Sequence, residues 1–131
     1  MLARPQSSVK EAAIVSFRYD DIGRDRLEAL AAFQRSLRFR FKDLSLLNRA
    51  LTHRSHVNED PASRGNNERL EFLGDAVLGM ATASRLFIAL GDKSEGDLAR
   101  IKSFVVSEDT LSDIASRLGV DGVLLVGKGE E

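Results

Sequence analysis

Glu68, Glu71 and Asp75 fall at i, i+3 and i+7 within Asn67-Glu68-Arg69-Leu70-Glu71-Phe72-Leu73-Gly74-Asp75-Ala76-Val77-Leu78. On a helix all three carboxylates project from one side. Like charges at helical contact spacing destabilise a helix by about 0.2–0.5 kcal/mol per pair. No lysine sits among them, and Arg69 points about 100° around the helix from Glu68. So crowded a negative face suits a divalent cation held by oxygen ligands. It also suits salt bridges to a neighbouring element, for which Arg100 or Arg117 is available. Glu71 and Asp75, one turn apart, can converge on one hard cation with water completing its shell.

The elements that must position these groups read as helices. A central helix is expected from about Asn66 to Ala89, with Leu70, Leu73, Val77, Leu78, Ala81 and Leu86 as its apolar stripe. Gly74 and Gly79 inside it each cost about 1 kcal/mol against alanine, which suggests close packing around both. A helix so apolar is expected to be surrounded by the others. Upstream, Asp25 reads as an N-cap for a helix bearing Leu27, Leu30, Phe33 and Leu37 and ending near Ser36. Asp43 reads as the cap of the next helix, with Leu44, Leu47 and Leu51 buried.

Between them, Arg38-Phe39-Arg40-Phe41-Lys42 alternates cations with aromatics, as a short strand or an extended linker. Such interleaving suits nucleic acid, but the better reading has Phe39 and Phe41 anchoring the linker in the core. His53 and His56 are expected to sit against the C-terminal end of the Asp43 helix, where the dipole favours them. Residues 57–66 read as an exposed loop. Downstream, Ser94 and Ser107 open two further helices through Leu98, Ile101, Phe104 and Val105, and through Leu111, Ile114, Ala115 and Leu118. Gly119 closes the second. The expectation is an all-α domain of about five helices over residues 25–131, preceded by a weakly ordered extension, 1–24, with a short helix around Lys10–Ser16.

Composition narrows the function classes. The 131 residues contain no cysteine, which excludes disulfides, thiolate metal sites and a cysteine nucleophile. No apolar run approaches bilayer length on this reading, and the N-terminus lacks the core of a secretory signal, so a cytoplasmic protein without membrane partners is expected. Residues 1–65 carry 12 Lys+Arg against 8 Asp+Glu, whereas residues 66–131 carry 7 against 12. The first half could face a polyanion while the second supplies carboxylates, although both could equally be ordinary solvated faces. No internal repeat is present.

The twelve residues Asn67–Leu78 resemble the signature of the ribonuclease III family, which cleaves double-stranded RNA. The likeness covers about residues 25–131. Phe39–Leu44, the run Ala50-Leu51-Thr52-His53-Arg54-Ser55, Glu95-Gly96-Asp97-Leu98 with Arg100, and Gly127-Lys128-Gly129-Glu130 are similar to family landmarks in the same order. The resemblance implies a helical endonuclease domain acting as a homodimer on duplex RNA in rRNA and mRNA processing, with magnesium (or manganese) as cofactor and no small-molecule cofactor. It implies Glu71 and Asp75 as catalytic metal ligands, Glu68 and Glu95 as supporting acidic residues, and Phe72 as a dimer contact. Glu95 would approach the catalytic valley from the second helix hairpin. Arg38, Arg40, Arg49, Arg54 and Arg64 are available to duplex phosphates.

In the family a further helix with a second Asp/Glu pair follows the glycine-rich segment, and an RNA-binding domain is usual. Glu130 and Glu131 are adjacent in sequence and do not share a helix face. The chain is therefore expected to be the N-terminal, incomplete part of such a domain, to cleave poorly by itself, and to leave apolar stripes uncovered. The alternative is a dimerising or double-stranded-RNA-binding module without turnover.

Overall fold

The structure, a computed structural model, describes residues 22–59 and 65–129. The expected extension, Arg64, Glu130 and Glu131 lie outside these residues or, for residues 22–24, at their edge. The described residues form six helices: α1 (Arg24–Ser36), α2 (Leu44–Ala50), α3 (Arg54–Glu59), α4 (Glu68–Ala89), α5 (Glu95–Val105) and α6 (Glu108–Leu118). No strand accompanies them; one isolated parallel bridge joins Thr52 to Leu125. The fold is all-α, with one helix more than expected.

The first packing unit joins α1, α2 and the C-terminal strap around residues 120–127. Leu30 and Phe33 from α1, Leu47 and Leu51 from α2, and Val123 from the strap form the buried cluster, with Leu37, Phe41, Leu44 and Val120 packed against it. Burying one such side chain contributes about 1.5–3 kcal/mol. Arg26 clamps the same three pieces: its guanidinium donates to Asn48 Oδ1 at 2.7 Å, to the Val123 carbonyl at 2.6 Å and to the Leu51 carbonyl at 3.4 Å. Burial pushes that guanidinium below its ordinary pKa. Nothing local in the sequence marks Arg26, because the carbonyls it satisfies lie up to 97 residues away.

Local capping is mostly as the sequence prescribes. Asp43 Oδ1 accepts from the Ser45 and Leu46 backbone N–H groups, Ser94 and Ser107 accept from the N–H groups of Asp97 and Thr110, and Gly119 ends α6 in the left-handed region at φ 76°. The first helix departs from expectation. Its cap is Gly23, and Asp25 lies inside the first turn, where the dipole still favours its charge.

The histidines depart too. His53 Nδ1 accepts from the Ser55 backbone N–H at 3.3 Å, so it serves the start of α3 and not the end of α2. His56 lies in the last turn of α3 and not at the end of α2, and α3 runs through residues 57–59, the start of the loop expected over 57–66. In the α1–α2 linker, Phe41 packs on the core as expected, whereas Phe39 is 60% exposed.

The second unit is the run of α4, α5 and α6, in which α4 packs along α5 and α5 along α6. Here α4 departs from what its apolar pattern predicts. None of the 22 residues of α4 is buried, so the helix is not surrounded; Leu73, Val77, Met80, Phe87 and Ile88 all stay exposed. A Cβ at Gly74 would meet nothing within 4 Å, and one at Gly79 would meet only the end of the Lys102 side chain at 3.6 Å, so neither glycine marks a tight approach within the chain. The reading of apolar runs is also revised: α4 is long and apolar enough, by length and composition, to cross a membrane. Four of its five charges fall within Glu68–Asp75, and Arg85 alone interrupts the apolar remainder.

Candidate functional site

The N-terminal end of α4 is fixed by backbone and side-chain bonds to the first unit. The Asn67 N–H donates to the Thr52 carbonyl at 2.9 Å, and Arg49 Nε donates to the Asn66 carbonyl at 2.9 Å. Thr52 is itself 2% exposed, with its hydroxyl bonded to the Asn48 carbonyl at 2.7 Å. Asn66 folds over the helix start, accepting the Glu68 N–H at 3.1 Å and donating its amide to Glu68 Oε2 at 3.0 Å. The carboxylate-bearing turns are thus attached to the best-packed part of the molecule.

Glu68, Glu71, Phe72, Gly74, Asp75 and Leu78 of α4, with Leu111 of α6, line one open cleft of about 650 Å3. Glu71 and Asp75 share its wall, one turn apart and both exposed. Glu68 is engaged by Asn66 and by Arg54, whose Nη1 lies 3.4 Å from Glu68 Oε1. Being solvated, that ion pair contributes little to stability, but it supplies Glu68 with a local cation. Phe72, 83% exposed, stands at the cleft edge beside Glu71. An apolar ring left in water next to two carboxylates is a surface for something else to cover.

Arg100 and Arg117, the cations available to neutralise the acidic face, are used elsewhere. Arg100 pairs with Asp97, and Arg117 lies 3.5 Å from Asp113. Asp97 is held below the ordinary carboxylate pKa first by its bond to the Ser94 hydroxyl and then by Arg100. Glu71 and Asp75 form no ion pair with a described residue. Glu95 opens α5 and is not among the residues lining the cleft. The α4–α5 hairpin sets it beside the C-terminal end of α4, about 20 Å along the axis from Asp75.

Two carboxylates one turn apart match the way magnesium is commonly held, by one or two carboxylates with water and substrate phosphate completing the shell. Among the described residues, no group of three or more acidic or histidine side chains converges. The cleft therefore fits a partially hydrated hard cation better than a fully protein-enclosed one.

Comparison with known proteins gives the same assignment throughout. A family model described as ribonuclease-III-like matches residues 43–131. Ribonuclease 3 of Treponema denticola is 50% identical over 106 residues, spanning 81% of this chain and 43% of that protein. Ribonuclease 3 of Treponema pallidum is 51% identical over 109 residues, spanning 82% of this chain and 43% of that protein. The chain thus spans less than half the length of these relatives.

The solved nuclease domain of ribonuclease III from Campylobacter jejuni, described for flexibility in a region involved in dimer formation, is 38% identical. It covers 79% of this chain and 67% of its own, with a TM-score of 0.68. With a family match across most of its length, the Asn67–Leu78 signature on α4 and a helical fold shared with a nuclease domain, this chain belongs to the ribonuclease-III-like family.

Proposed function

We propose that this chain is part of an endoribonuclease that hydrolyses phosphodiester bonds of double-stranded RNA, leaving 5′-phosphate and 3′-hydroxyl ends, in the cytoplasmic processing of rRNA and mRNA. The observation that carries the reading is the pairing of Glu71 and Asp75 on one cleft wall, with no ion pair from a described residue to neutralise them. These two residues would hold magnesium, or manganese. When bound, such an ion supplies positive charge against the scissile phosphate and makes a water molecule more acidic.

The chain's own residues do the rest. Arg54 and Asn66 fix the Glu68 carboxylate at the cleft mouth, where it orders water or a ribose hydroxyl. Attack by water on phosphorus breaks the bond to the 3′ oxygen, which leaves as the hydroxyl. Exposed Phe72 suits an apolar contact with a second copy of the chain, so that two clefts would act on one duplex.

A second reading is a dimerising or duplex-binding module without turnover. It draws support from the absence, among the described residues, of any group of three or more side chains able to hold a metal ion. Incubating the chain with labelled duplex RNA and magnesium, beside a Glu71→Gln, Asp75→Asn variant, separates the two. Magnesium-dependent cleavage abolished in the variant supports the nuclease; duplex binding without cleavage in either supports the module. Sedimentation of Phe72→Ala against the parent chain tests the self-association that both readings invoke.

A further inference from the structure

The arginines available to RNA are sorted by the tertiary structure. Arg49 holds the Asn66 carbonyl and Arg54 pairs with Glu68, so both have internal roles. Arg38 and Arg40 do not. Together with Arg35 and Lys42 they surround Phe39 and Phe41 in a hollow of about 1000 Å3 between the end of α1 and the start of α2. All four cations are exposed, and none forms an ion pair with a described residue. Like charges gathered this closely repel one another, so the cluster favours an anionic occupant.

The turn is also shaped. Arg38 takes a left-handed backbone at φ 51°, a conformation seldom adopted by residues with a side chain. The Phe39 N–H donates to the Gln34 carbonyl at 3.2 Å, and the Phe41 N–H donates to Gln34 Oε1 at 2.8 Å. Phe41 packs on the core, and Phe39 meets its ring edge-on, centroids 5.0 Å apart at 74°. A ring fixed at its edge, 60% exposed and flanked by cations on both sides in sequence, is a platform.

We propose that the α1–α2 turn is a second nucleic-acid-binding surface that takes an unpaired strand, with Phe39 stacking a base and Arg35, Arg38, Arg40 and Lys42 following its phosphates. A base inside a duplex already stacks on its neighbours and offers no free face, whereas unpaired bases stack readily on aromatic side chains. Phosphates separated by stacked bases match an alternation of cation and ring; an acidic peptide would use the cations and leave Phe39 idle. Binding here goes beyond the cleavage reading and does not require it.

The test uses the full chain carrying Glu71→Gln and Asp75→Asn in EDTA, so that cleavage plays no part. Binding of fluorescent oligouridine and of a blunt RNA duplex is followed by anisotropy. Phe39→Ala is expected to weaken oligouridine about fivefold to hundredfold and to leave the blunt duplex unchanged. Phe39→Trp should keep or tighten oligouridine binding. Arg38→Gln with Arg40→Gln should reduce the dependence of log affinity on log salt by about 1.4.

Phe39→Ala proteins of unchanged circular dichroism that bind oligouridine as before would overturn the proposal. So would equal losses on strand and duplex, failure to bind oligouridine at all, or a polyglutamate peptide binding as tightly as the strand. None of these outcomes touches the reading of the carboxylate cleft, which is judged by metal-dependent cleavage.

Discussion

The backbone N–H of Gly127 donates to Ser55 Oγ at 2.8 Å, joining positions 72 residues apart. That hydroxyl also lies 2.7 Å from His53 Nδ1, so Ser55 Oγ links the ring to the Gly127 N–H, for which it is the acceptor. The bridge at Thr52 and Leu125 lies just before it, with the His53 N–H on the Leu125 carbonyl at 2.8 Å and the Leu125 N–H on the Leu51 carbonyl at 2.9 Å. The glycine-rich strap is thereby fastened to the segment that also carries the start of α4.

Removing that fastening should be measurable. Gly127 is buried, so Ser55→Ala leaves its N–H without an acceptor and is expected to cost about 1–3 kcal/mol. Urea denaturation measures the loss, and Ser55→Thr, which keeps a hydroxyl, should recover part of it. An unchanged midpoint for Ser55→Ala would show that the strap is not held at this point.

Arg26 offers a larger effect. Arg26→Met keeps the apolar stem but strands Asn48 Oδ1 and the Val123 carbonyl, for an expected loss of about 2–3 kcal/mol in thermal or urea unfolding. Arg26→Lys should not restore it, because one ammonium cannot reproduce a planar fork reaching three acceptors.

The cap at Asp43 carries a pH signature. The Ser45 hydroxyl first, and then the Leu46 N–H, hold the Asp43 carboxyl below its ordinary value of 3.8. A depressed folded value means that the stabilisation is present above the ordinary carboxylate range and fades as pH falls through it and below. Asp43→Ala should cost about 1 kcal/mol at neutral pH. The stability gap between the parent chain and Asp43→Asn, a cap that cannot ionise, should be constant above about pH 5 and shrink on acidification. A gap that widens toward low pH would contradict the assignment.

Gly74 separates stability from function. With open space where its Cβ would stand, Gly74→Ala should stabilise α4 by about 0.5–1 kcal/mol. The same methyl group would project into the carboxylate cleft. A higher melting temperature accompanied by weaker duplex cleavage or self-association is the expected pattern. A lower melting temperature would show that the space is filled.

Local patterns in the sequence are enough to place five of the six helices and the carboxylates. Periodicity and local caps place α2, α5 and α6 almost to the residue, because Asp43, Ser94 and Ser107 act within their own first turns. The i, i+4 spacing puts Glu71 and Asp75 on one wall whatever packs around them. Tertiary structure decided what depends on distant partners. His53 serves the start of α3 because the chain turns there to meet Leu125 and Gly127. Phe39 and Phe41, two residues apart and alike in type, part company because only Phe41 reaches the core. The apolarity of α4 reads as burial in any window of sequence, yet its stripe lies open. Periodicity reports which face wants covering, and only the packing of α5 and α6 shows how much of it they cover.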